Sequence, residues 1–154
     1  MKDVLNMSVS SGLGIRESSN PAYLIEIDFN SEQVNHLGYF HASVIFSFAE
    51  ICSGCFLAKY FPEEKEITLP VLRAISGKFS SPSKGKLFAK CHLHQDTISA
   101  VSCRLNKNNK AKFKIITDVF NIEEKLVFRG QFDWFVRRKE VLSAKTIVKT
   151  SGDD

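Results

Sequence analysis

The chain has 154 residues, 44% of them hydrophobic and 25% charged, with a formal net charge of +4. That is one globular domain with enough apolar mass for a core and too little chain for a second domain. The mild basic excess has no stripe of Lys and Arg interleaved with aromatics, which argues against nucleic acid and suits an anionic small molecule. Four cysteines without framework spacing, and an opening that does not read as a signal peptide, point to a reducing, cytoplasmic setting.

Met1 to Asn20 is rich in Ser and Gly and carries no sustained period, so it is left unassigned, with room for a short helix before a turn. From Ala22 the pattern alternates. Tyr23, Ile25, Ile27 and Phe29 share one face while Glu26 and Asp28 lie opposite, as a half-buried strand requires. A loop with Asn30, Ser31, Asn35, His36 and Gly38 follows.

His41 to Phe61 is then close to continuously apolar and about as long as a bilayer span. Glu50 at its centre would cost about 2.5–3.5 kcal/mol on insertion, and Ser47, Ser53 and Gly54 dilute the hydrophobicity further, so a buried helix in a protein without a membrane partner is expected. A helix apolar on nearly every side must be wrapped, and a curved sheet is the natural wrapper.

Pro62 to Glu66 reads as a charged turn. Val71 to Ser80 and Lys84 to His94 read as strands separated by Ser81, Pro82 and Ser83. Asp96 to Leu105 has the spacing of a short helix, with Ile98, Val101 and Leu105 apolar and Asp96 as its cap. Ala111 to Phe120 and Lys125 to Val136 form a hairpin about Asn121 to Glu124. Lys139 to Asp154 reads as a frayed tail, leaving one domain over residues 1–138 with its core in 22–137. The order is a strand, a long buried helix, then about four antiparallel strands: an α+β domain whose sheet curls around one helix.

The run Asn35, His36, Leu37, Gly38, Tyr39, Phe40, His41, Ala42, Ser43, continuing to Phe48, Ala49, Glu50, resembles the signature of PaaI-type hotdog thioesterases. There, Asn-x-x-Gly-x-x-His-Gly-Gly is followed after five residues by Ala-Asp or Ala-Glu. Pro82 and Gly85 resemble the turn between two family strands, and the hairpin ending at Trp134 fits the last pair. The resemblance covers roughly Ala22 to Arg137 and implies a hotdog fold and hydrolysis of acyl-CoA or acyl-carrier thioesters without a metal or other cofactor. Ala42 and Ser43 stand where the family has two glycines, which leaves open a non-catalytic module that binds acyl-CoA or acyl-carrier protein. A dehydratase is disfavoured because its usual His and Pro-rich helix entry is missing.

Glu50 carries the chemical expectation, because a carboxylate amid apolar helix is costly unless paired or used. It would be the general base that activates water, or a nucleophile. The backbone N–H of Ala42, at the positive end of the helix, suits a developing oxyanion, a role that transfers from the family's first glycine. Asn35 would orient water or Glu50, or simply stabilise a turn. His41 would hold the loop, or only start the helix.

Substrate contacts are expected at Gly38 and Ser43 in the motif, at Phe46 on the helix, and at Lys84 for CoA phosphates, with Lys78, Lys86, Arg104, Lys107, Lys110 and Lys112 as further cations. Thr68 stands in for the family's hydroxyl partner of the acid. On one helix, His41 and Glu50 lie about 13.5 Å apart along the axis and cannot meet, so a joint site needs two protomers. A homodimer follows, or two dimers associated as a homotetramer. Cys52 and Cys55 have C-x-x-C spacing but read as packing, and His92 and His94 as exposed strand histidines.

Overall fold

The computed structural model describes residues 1–61 and 68–138. The turn expected over Pro62–Glu66 and the tail expected from Lys139 lie outside the described residues. The unassigned opening folds as two short helices, α1 (Lys2–Leu5) and α2 (Ser8–Gly12), followed by a two-residue strand β1 (Arg16–Glu17). Strand β2 is Ile25–Ile27, the long helix α3 is Ala42–Tyr60, and β3 is Thr68–Phe79. Then come β4 (Leu87–Leu93), helix α4 (Ile98–Asn108), β5 (Lys110–Asn121) and β6 (Leu126–Arg138).

The six strands form one antiparallel sheet in the order β1-β2-β4-β5-β6-β3. Helix α3 packs across β4, β5 and β6. Its residues Ile45, Phe48, Ala49, Cys52 and Phe56 join Leu87, Ala89, Ile115, Phe128 and Phe132 in the core. This is the hotdog arrangement the sequence pattern implies: an apolar helix long enough for a membrane is instead wrapped by a sheet.

The alternation expected around β2 holds for Ile25 and Ile27, which are fully buried, but fails for Glu26, which is only 2% exposed instead of facing water. Arg16 (2.8 Å) and Lys86 (3.1 Å) pair with its carboxylate, and the Ser19 N–H and hydroxyl donate to it at 3.0 Å. The neighbouring Arg16–Ser19 segment and the remote Lys86 thus cover the outer face of β2, and Tyr23 and Phe29 fall outside the strand.

The cap of α4 also differs from expectation. Thr97, not Asp96, accepts from the Ala100 N–H at 3.2 Å, while Asp96 pairs with Arg104 at 2.9 Å. The hairpin of β5 and β6 stands as expected, from Lys110 opposite Arg137 to Phe120 opposite Leu126.

Strand β3 is one edge of the sheet, β1 the other. Strand β3 pairs only with β6 among the described residues, and most of its side chains lie open, including Leu69 at 54% and Phe79 at 46% exposure.

Candidate active site

The loop before α3 is wired by its own backbone. Asn35 N–H donates to Tyr39 O at 2.8 Å, and Gly38 N–H donates to Asn35 O at 2.9 Å. The Asn35 side-chain oxygen accepts from Leu37 N–H (2.9 Å) and Tyr39 N–H (3.2 Å). Gly38 has φ +73°, a left-handed turn position that glycine adopts without a Cβ penalty. The loop is tied down by Phe40 N–H to Ser83 O (3.0 Å) and His41 N–H to Gln33 O (2.8 Å).

His41 is the N-cap of α3: its Nδ1 accepts from Ser43 N–H at 3.2 Å and lies 2.7 Å from the Ser43 hydroxyl. A ring nitrogen thus does what a Ser or Asp oxygen does at most helix starts. The Ala42 N–H, at the first helical position, meets no acceptor among the described residues. Lys84 stands beside the loop, its Nζ 4.7 Å from the centre of the Tyr39 ring. The structure therefore brings Asn35, Gly38, His41, Ala42, Ser43 and Lys84 to one open surface, with Leu37 64% exposed among them.

Glu50 sits elsewhere. It lies on the wall of a cavity of about 440 Å³, formed by Ile51, Gly54, Leu57 and Ala58 of α3, Val101 and Leu105 of α4, and Phe113, Trp134 and Val136 of the sheet. The Glu50 carboxylate has no hydrogen-bond or ion-pair partner among the described residues, and burial pushes its pKa upward. The turn that carries it is anchored to the sheet. Trp134 Nε1–H donates to Ser53 Oγ at 3.2 Å, and the Ser53 hydroxyl donates to the Glu50 carbonyl at 2.7 Å.

The motif residues, in the loop before α3 and at its first turn, and Glu50, in the middle of α3, thus lie on two separate patches. Phe46 does not line the cavity; its ring packs on Phe128 and Phe132, at 6.1 and 6.4 Å between centres. Thr68 begins β3. Two cations expected to be free for phosphate are engaged: Lys86 with Glu26 and Arg104 with Asp96. Cys52 and Cys55 are buried, which drives the Cys52 thiol well up and holds Cys55 at about 12, so neither is a thiolate at neutral pH.

Sequence reasoning missed the cavity's far wall and its N-terminal rim, where Val4, Met7, Val9 and Ser10 contribute. The apolar positions of α4 and the hairpin were legible as core. Nothing in the sequence showed that they leave space instead of closing on α3.

No curated protein matches the chain by sequence. Solved structures match its fold. Pseudomonas aeruginosa PA5026, a protein of unknown function named "Probable Thioesterase", superposes with a TM-score of 0.74 at 18% identity, over 88% of this chain and 91% of that one. Haemophilus influenzae HI1161, a thioesterase, gives a TM-score of 0.65 at 19% identity, over 88% and 87%. Bacillus halodurans BH2602, crystallised with CoA, gives 0.57 at 12% identity, over 73% and 69%. By sequence, residues 14–136 match the family described as Domain of unknown function (DUF4442). A match of that extent takes in the whole of α3, strands β1 to β5 and all but the last two residues of β6, and the chain belongs to the DUF4442 family.

Proposed function

We propose that the protein hydrolyses acyl-CoA or acyl-carrier thioesters, with Glu50 as the acid-base or nucleophilic carboxylate and with the site shared between two protomers. The observation that carries this reading is a carboxyl without a partner among the described residues on the wall of an apolar cavity, where burial raises its pKa. The acyl chain lies in the cavity with its carbonyl near Glu50. The carbonyl oxygen takes the Ala42 N–H of the second protomer, at the positive end of α3, as its oxyanion donor.

Lys84 offers charge to the phosphates of CoA. Asn35 keeps its amide NH₂ for water or substrate while its oxygen holds the turn. Gly38 and Ser43 give the thioester room and a hydroxyl at the helix start. Glu50 then withdraws a proton from water as it attacks, and the thiol leaves. In the nucleophilic variant Glu50 itself attacks the carbonyl, the C–S bond breaks and the thiolate leaves as the mixed anhydride forms, and water then hydrolyses the anhydride to the free acid and the Glu50 carboxylate.

One observation favours a second reading, a module that binds acyl-CoA without turnover. Ala42 and Ser43 bring side chains to the helix entrance, and the Ser43 hydroxyl is held by His41. Free-thiol release from a panel of acyl-CoAs, by the wild type and Glu50→Gln in parallel, separates the two. Turnover abolished by the substitution supports hydrolysis, whereas acyl-CoA binding without turnover in either protein supports the module.

A further inference from the structure

The cavity beside Glu50 is closed on one side by residues that precede the family match, which begins at residue 14. Val4 of α1, Met7 between the two helices, and Val9 and Ser10 of α2 all line it. Helices of four and five residues are not stable alone, so tertiary contacts hold this segment in place. The Ser10 hydroxyl donates to Val4 O at 2.7 Å, Ile15 N–H donates to Ser10 O at 3.0 Å, and Gln33 Nε2 donates to Leu13 O at 2.7 Å.

Gly54 of α3 faces α1: a Cβ built there would meet the Val4 side chain at 3.7 Å, an ordinary van der Waals contact, so the two helices lie close at this point. Met7 and Val9 are left 59% and 62% exposed at the rim, large apolar side chains with one flank toward the cavity and one toward water.

We propose that the N-terminal segment is the specificity-determining roof of an acyl-chain site, with Val4 and Met7 setting how long a straight apolar chain the cavity accepts. The ligand class is an apolar chain of medium length. At roughly 30 Å³ per water-sized group, the 440 Å³ cavity holds on the order of a dozen methylene-sized groups. Its walls are aliphatic and aromatic, and the Glu50 carboxyl is the polar group that marks where the head of the ligand belongs. Ala58 lies two helical turns beyond Glu50 on the same wall, so growth of its side chain shortens the site from within, whereas trimming Val4 or Met7 lengthens it through the roof. That the bound chain is an acyl group rests on the thioesterase reading; the cavity and its roof do not.

The test uses the full-length protein and a ladder of straight-chain alcohols, short to long, titrated by calorimetry. Alcohols carry no charge to oppose Glu50, and their binding requires no turnover. The wild type is expected to show one affinity optimum along the ladder. Val4→Ala with Met7→Ala moves the optimum to longer chains, and Ala58→Leu moves it to shorter ones with about a tenfold loss at the original optimum. Circular dichroism of each variant controls for folding. An optimum that stays put in both folded variants, or a wild type that binds none of the alcohols, overturns the proposal. If the ladder binds and shifts as expected but no acyl-CoA is hydrolysed, the roof stands and the hydrolase reading falls. Hydrolysis whose chain-length profile ignores the roof variants gives the reverse.

Discussion

Glu50 and Glu26 are both carboxylates withdrawn from water, and their surroundings push them in opposite directions. Burial without a partner raises Glu50. A carboxyl whose folded pKa exceeds its unfolded value stabilises the fold at low pH and loses that contribution as pH rises through the folded pKa. Glu50→Gln is therefore expected to leave the urea midpoint at neutral pH equal to or above that of the wild type while removing thiol release. In the wild type, hydrolysis should fall as pH drops through a pKa above the ordinary 4.5, because the base must be ionised.

For Glu26, burial alone would also raise the pKa, but the Ser19 N–H and hydroxyl and Lys86 outweigh it and hold the group at about 2. Its stabilisation is fully present above about 4.5 and disappears as pH falls toward about 2. Glu26→Gln should cost about 1–3 kcal/mol at neutral pH and flatten the acid limb of a urea-midpoint series. Glu50 was legible because a carboxylate interrupts the middle of an apolar run. The role of Glu26 was not, since its partners Arg16, Ser19 and Lys86 come from segments that only the folded sheet brings together.

The elements most legible in the sequence were those whose pattern is local and long. Helix α3 runs from the residue after His41 to Tyr60, and the β5–β6 hairpin keeps its alternation over nearly its full length. The N-terminal helices were not legible, because four or five residues contain too little of a 3.6 period and owe their shape to packing on α3. Asp96 and Thr97 are both good caps; the fold uses Thr97 and leaves Asp96 to pair with Arg104, a partner eight residues away that the cap pattern does not reveal.

Within the sheet, Gly130 faces Gly77 across β6 and β3. A Cβ on Gly130 would stand 2.7 Å from the rings of Phe128 and Phe132, both fully buried and unable to yield cheaply. Gly130→Ala is expected to destabilise by about 1–3 kcal/mol. Gly12 in α2 has nothing within 4 Å of its would-be Cβ and no left-handed backbone, so Gly12→Ala should be neutral or mildly stabilising. Thermal denaturation of the two variants side by side checks both expectations, and equal losses would mean that the crowding around Phe128 is relieved in solution.

The proposed chemistry demands more than one copy of the chain. Helix α3 separates Glu50 from the Ala42 N–H by about 12 Å of axial rise, and a regular helix cannot fold back to close that gap. The edge strand β3 offers a way to pair: twelve residues long, paired on one side only among the described residues, and exposing Leu69, Val71 and Phe79. A long edge strand, even one broken by Pro70 and carrying Arg73 and Lys78, is a template for another strand unless something covers it. Light scattering is expected to give twice the 17.4 kDa of one chain, and Val71→Lys, which places a charge on that edge, to give a monomer without thiol release.

A shared site makes a sharper prediction. Glu50→Gln and Asn35→Ala should each be inactive alone, and refolding them together at equal amounts should restore activity. A mixed dimer holds one site built from an intact Glu50 and an intact Asn35, and one built from both defects. Random pairing in a two-fold dimer would then return about a quarter of wild-type turnover. If each site were built within a single chain, every chain in the mixture would carry one defect and no recovery would occur, whatever the oligomeric state.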